Sequence, residues 1–150
     1  MKKYLIDGNN LIGKIQSLAK RQKKDKQASR EKLTFLIDRY FSHKKVEVFL
    51  HFDGFANQKI NSSKIKLVYS NNSSADDKIK KQIETEINKR NIVVISSDNN
   101  IREFAKVCGC DVISCEDFGK EITNNRSDDD EESRIKAMNN VDTFKKLFGA

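Results

Sequence analysis

The chain has 150 residues, 37% hydrophobic and 34% charged, with a formal net charge of +7. That length suits one domain with a real core, and no apolar run approaches the roughly 20 residues that span a membrane as a helix. Its cysteines, Cys108, Cys110 and Cys115, are odd in number and far in sequence from His43 and His51. They read as free thiols rather than as disulfides or a zinc site.

Lys2 and Lys3 lead straight into an apolar strand over 3–7, too short for a secretory signal. A cytoplasmic protein is the expectation. That strand, Lys3-Tyr4-Leu5-Ile6-Asp7, stops on a carboxylate and a glycine. Leu11, Ile15, Leu18 and Ala19 then recur at helical spacing and predict a helix over 10–20. Residues 20–27 hold no large apolar side chain and read as a loop or an exposed helix end. Ser29 is a candidate cap for a second helix over 29–43, whose core stripe is Leu33, Leu36, Ile37, Tyr40 and Phe41.

Val46 to Phe52 is a nearly continuous apolar strand, as expected of one buried on both faces, and it ends on Asp53-Gly54. Residues 55–63 form a polar loop, and 65–69 a shorter strand near a sheet edge. Ser70 to Ser74 lead into a helix over about 75–90, with Ile79, Ile83 and Ile87 on one stripe. Ile92-Val93-Val94-Ile95 is a buried strand followed by Ser96-Ser97-Asp98. A helix over 99–107, a strand over 111–114 and a short helix over 116–123 complete the domain, expected at 1–123. An acidic linker is expected over 124–133, and a last helix over 134–150 packing on the same domain.

Strands alternating with helices imply right-handed crossovers between parallel strands. The fold class is α/β: a three-layer α/β/α sandwich with a mostly parallel sheet of four or five strands. In such a sheet all strand C-termini share one edge, and each following helix starts there. Asp7, Asp53 and Asp98 end three strands, and Asp76 and Asp77 open a helix, so all five carboxylates share that edge. Four have a purely structural explanation: Asp76 and Asp77 suit a helix dipole, Asp98 an N-cap, and Asp53-Gly54 an ordinary turn; Asp7 is less easily dismissed, because it ends a strand expected to be central. Their coincidence at one edge is the specific signal. Clustered carboxylates resist joint ionisation unless a cation sits among them. Mg²⁺ takes a few carboxylates plus substrate phosphate, and such an ion can activate water for phosphodiester cleavage. His51, inside a strand, reads as a core or surface histidine rather than a base.

The charge is unevenly placed. Residues 1–45 carry 13 Lys/Arg against 4 Asp/Glu, a local net of +9, whereas Asp128 to Glu132 is a run of five acids. The basic stretch points to a polyanion such as nucleic acid, with Lys14, Lys20, Arg21, Lys23, Lys24 and Arg30 as the residues expected to bind it. A solvated lysine-rich surface explains the composition equally well.

These motifs resemble the YacP-like NYN domains of the PIN-like nuclease superfamily. Leu5-Ile6-Asp7-Gly8-Asn9-Asn10 is similar to the opening motif, Phe52-Asp53-Gly54 to the second, Ser74-Ala75-Asp76-Asp77 to the third and Val94-Ile95-Ser96-Ser97-Asp98 to the fourth. Val141 to Gly149 resembles the short C-terminal helix of the family. The resemblance implies a Mg²⁺- or Mn²⁺-dependent endoribonuclease cutting single-stranded RNA, in some members ribosome-associated mRNA. By position, Asp7, Asp76 and Asp98 would be the main metal ligands, and Asp53 and Asp77 direct or water-mediated ones. Asn10 would orient Asp7 or a water. Ser97 and Asn100 would support the site or touch phosphate. Two features depart from the family: Asn9 stands where Tyr is common, and Asn99 and Asn100 supply no further carboxylate after Asp98. A non-catalytic RNA- or ribosome-binding module with a degenerate site is the rival reading. A small-molecule phosphohydrolase or a toxin remains a further alternative. The sequence leaves oligomeric state open.

Overall fold

The computed structural model describes residues 1–124. The elements in order are β1 (Lys2–Asp7), α1 (Gly8–Lys14), α2 (Gln16–Lys24), α3 (Lys26–Phe41), β2 (Val46–Phe52), β3 (Ile65–Tyr69), α4 (Ala75–Thr85), β4 (Ile92–Ile95), α5 (Asn99–Val107), β5 (Asp111–Ile113) and α6 (Cys115–Thr123). All strand pairs are parallel, in the order β3-β2-β1-β4-β5. The central strand is β1, and the chain reverses its direction of winding between β1 and β4, where sheets of this kind leave a crevice.

Side chains alternate across the sheet with a period of two, and the two cores follow from that alternation. Tyr4 and Ile6 of β1, Val48, Leu50 and Phe52 of β2, and Val93 and Ile95 of β4 face a core shared with α1, α2, α3 and α6. Leu5, Ile92 and Val94 face the opposite core, built with Ile79 and Ile83 of α4 and Ile101 and Ala105 of α5. All four residues of β4 are buried, which explains its unbroken apolar run. The result is the expected α/β/α sandwich, with five strands.

Helix boundaries depart from the sequence pattern in three places. The helix expected over 10–20 is two helices, because Ile15 is extended (φ −107°, ψ 109°), and the second runs on to Lys24, so the stretch expected to be a loop or an exposed helix end is an exposed helix end as far as Lys24. The next helix starts at Lys26, capped by Asp25, whose side chain accepts from the Ala28 N–H at 3.0 Å. Ser29 is instead buried within α3 and donates to the Leu18 carbonyl (2.7 Å), tying α3 to α2. Finally, α4 ends at Thr85. Ile87 lies beyond it and is 98% exposed, and a 3-10 turn at Lys89–Asn91 leads into β4.

The cysteines are free, with Cys110 and Cys115 buried. Among the described residues no helix is long and apolar enough to cross a membrane. The expected linker beyond Asn124 and the expected last helix lie outside the described residues.

Candidate active site

Asp7 is the centre of the C-terminal sheet edge. It closes β1 and is 7% exposed, the only acidic residue among the buried ones described. Ser96, immediately after β4 and fully buried, donates its hydroxyl to Asp7 Oδ2 at 3.1 Å. The Asp98 N–H in turn donates to Ser96 Oγ at 3.1 Å, so one serine joins the two strand-end aspartates. Burial pushes the Asp7 carboxyl up to about 6; Ser96 and the Asn10 amide oppose this, and the nearby Asp53 and Asp98 charges add to it. Three of the expected carboxylates therefore act on one another.

The turn after β1 is held to both neighbouring strands. Asn9 Oδ1 accepts from the Asp53 N–H at 2.8 Å, on the β2 side. Asn10 Oδ1 accepts from the Ser97 N–H at 3.0 Å, on the β4 side. Asn10 was expected to orient Asp7 or a water; its backbone N–H bonds the Asp7 carboxyl, and its side-chain oxygen fixes the backbone that precedes Asp98. Gly8 fits there because of space: a Cβ would lie 2.6 Å from both the His51 carbonyl oxygen and a Phe52 ring carbon.

Asp53 follows β2. Its Oδ1 accepts from the Ala75 N–H, the first residue of α4, at 2.7 Å. That bond draws the start of α4, with Asp76 and Asp77, to the same edge. Asp76 Oδ1 is buried without a hydrogen-bond partner and has Lys80 Nζ at 3.3 Å, an i,i+4 ion pair. Asp77 is exposed, and its N–H donates to the capping Ser74. Asp98 is exposed and caps α5 by accepting from the Ile101 N–H at 3.2 Å, so its expected capping role is real and occupies one carboxylate oxygen. Asn100 is exposed in the first turn of α5.

One carboxylate escaped the sequence reading. Glu116, in the first turn of α6, accepts a hydrogen bond from Ser97 Oγ; that hydroxyl also accepts from the Cys115 N–H at 2.9 Å. The Ser97 bond holds the Glu116 carboxyl below its ordinary value, aided by Lys14 and Arg102. Its signal was available: a helix that follows β5 must also start at this edge.

The basic residues divide. Lys14, Lys20, Arg21, Lys23 and Lys24 are exposed, the last four on α2. Arg30 corrects the expectation. It is 1% exposed, so it offers no surface to RNA. Its guanidinium lies under the Phe52 and Tyr69 rings and donates to the Asp53 and Phe55 carbonyls. His51 is buried, bonded through Nε2 to Gln82 at 2.9 Å, and burial pushes it down to about 4. It is a neutral core histidine.

Among the described residues no three His, Cys, Asp or Glu side chains form a ready-made metal cage. The donor chemistry nevertheless fits a hard divalent cation: all the groups are carboxylates, and one buried oxygen, on Asp76, lacks a hydrogen bond. Mg²⁺ needs only one or two protein carboxylates beside water and phosphate.

Two crystal structures share this fold. Rae1 (YacP) from Bacillus subtilis aligns with a TM-score of 0.69 and 22% identity, over 97% of this chain and 86% of that one. Its W164L mutant aligns with a TM-score of 0.68 and 21% identity, over 95% and 83%. No curated protein matches the chain significantly. The model of the YacP-like NYN domain matches residues 4–147. The chain belongs to the YacP-like NYN domain family, a PIN-like nuclease family.

Proposed function

We propose that this protein is a Mg²⁺- or Mn²⁺-dependent endoribonuclease that hydrolyses single-stranded RNA, with ribosome-associated mRNA as its substrate class. The observation that carries the reading is the buried Asp7 carboxylate, bonded to Ser96 and pressed by Asp53 and Asp98 at the strand-end crevice. An anion held at such cost in stability is retained where a cation compensates it.

In this reading Asp7, Asp76 and Asp98 hold the cation, with Asp53 and Asp77 contributing directly or through water. When bound, the ion supplies activation of water and neutralisation of charge building on the scissile phosphate. Ser96 fixes the Asp7 rotamer. Asn9 and Asn10 hold the backbone on either side, so that the strand ends keep their separation. Hydrolysis leaves a 5′-phosphate and a 3′-hydroxyl. Lys14 and the α2 cations Lys20, Arg21, Lys23 and Lys24 hold the RNA backbone through counterion release. Phe55, 59% exposed and two residues from Asp53, is placed to stack a base. Tyr40 instead packs on Phe41 and Phe118. The free thiols suit a cytoplasmic setting.

The test is cleavage of 5′-labelled single-stranded RNA in Mn²⁺, Mg²⁺ or EDTA by wild type and Asp98→Asn. Asparagine keeps the helix cap and removes the charge. Metal-dependent cutting lost in the variant supports the nuclease. RNA bound but uncut by both proteins, with or without ribosomes, points instead to a binding module.

A further inference from the structure

Arg30 is the one lysine or arginine among the buried residues described, and the proposed chemistry does not use it. It is a buried guanidinium with no carboxylate within ion-pair distance among the described residues. Burial lowers its own proton affinity. Nε lacks any hydrogen-bond partner. Burying a charge without a paired anion is unfavourable, and the nearby Asp53 charge offsets only part of that burial. What arginine alone offers is a rigid planar fork of donors. Nη2 donates to the Asp53 carbonyl at 2.7 Å and Nη1 to the Phe55 carbonyl at 3.1 Å.

The other polar groups of this turn are also engaged. The Asp53 N–H is held by Asn9, and the Asp53 Oδ1 by the Ala75 N–H. The Gly54 N–H donates to Ser70 Oγ at 2.8 Å, and the Gly54 carbonyl accepts from the Asn71 N–H at 2.8 Å. Gly54 itself sits at φ +80°, a conformation that favours glycine. Arg30 is the one cation in this set, and it reaches the turn from beneath, out of α3. We propose that Arg30 is a positioning residue: its guanidinium locks the Asp53–Phe55 turn so that the Asp53 carboxylate is held at the cleft beside Asp7. This rests on the nuclease reading for the ion that the cleft would take.

The experiment is a double-mutant cycle on Mn²⁺ affinity, read by the electron paramagnetic resonance signal of free Mn²⁺ and therefore independent of catalysis. The proteins are wild type, Arg30→Met, Asp53→Asn and the pair, each shown folded by circular dichroism at the assay temperature. Arg30→Met is expected to weaken Mn²⁺ binding about tenfold, as loss of an outer support does. In the Asp53→Asn background it should weaken binding less than about twofold, since contacting sites are coupled. In cleavage assays kcat should fall together with Mn²⁺ affinity. Equal losses of Mn²⁺ affinity in both backgrounds, or no loss in a folded Arg30→Met, would overturn the proposal and leave the nuclease intact. A wild type that binds no Mn²⁺ overturns both. If Arg30→Met does not fold, Arg30→Lys replaces it in the same cycle, since an ammonium keeps the charge but not the fork.

Discussion

At the scale of single residues, Asp7 and His51 make opposite demands on the fold as pH changes. The Asp7 carboxyl is raised from 3.8 to about 6, first by burial. Above pH 6 the folded chain must therefore carry a buried anion that the unfolded chain carries in water, and stability is lowered. That penalty fades as pH falls through 6 towards 4, where both states hold the proton. His51 is lowered from 6.5 to about 4, again first by burial. Its neutral ring is no burden above pH 6.5, but stability is lost as pH falls from there towards 4. The two effects offset each other in the wild type. In EDTA at pH 7.5, Asp7→Asn should be more stable than wild type by on the order of 1–3 kcal/mol. Its melting temperature should then fall on acidification while that of the wild type changes little. Thermal melts from pH 4 to 8 check this; an Asp7→Asn protein less stable than wild type at pH 7.5 would contradict it.

At the scale of elements, the site depends on how helices are started. Asp25 caps α3 from an exposed position. Asp25→Ala should lower stability by about 1 kcal/mol and leave RNA cleavage at 25 °C unchanged, because among the described residues α3 bonds to the Asp53 turn through Arg30, more than one helical turn from the cap. Gly8→Ala is different. The added methyl has nowhere to go between the His51 carbonyl and the Phe52 ring. A loss of about 1–3 kcal/mol is expected, together with a loss of cleavage beyond that of Asp25→Ala at matched folded fraction. Denaturant melts paired with cleavage assays separate the two cases.

At the scale of the whole molecule, charge is divided between an acidic sheet edge and a basic helix. Lys20, Arg21, Lys23 and Lys24 are all exposed on α2, where Leu18 supplies the buried contact. Replacing these four with alanine should weaken single-stranded RNA binding by the Asp98→Asn protein, the variant expected not to cut the probe. The slope of log K against log salt should flatten by about 0.7 for each cation that had met a phosphate. Fluorescence anisotropy at several salt concentrations measures this. An unchanged slope would place the RNA path on another face.

The sequence by itself determined the layered α/β architecture, the centrality of β1 and the shared address of the carboxylates. The reason is that buried parallel strands are written as unbroken apolar runs, and their C-terminal ends share the edge at which the following helices begin. Asp7, Asp53, Asp76 and Asp98 were legible for that reason. What only the tertiary structure decided is which polar groups hold those strand ends together. Ser96 reads as one more residue of a serine pair until β4 is placed beside β1 and its hydroxyl meets Asp7. Asn9 and Asn10 become ties only when β2 and β4 flank their turn. Arg30, in a lysine-rich stretch, reads as surface charge. Its burial arises from a turn more than twenty residues later that folds back over α3, and no local periodicity records such a contact.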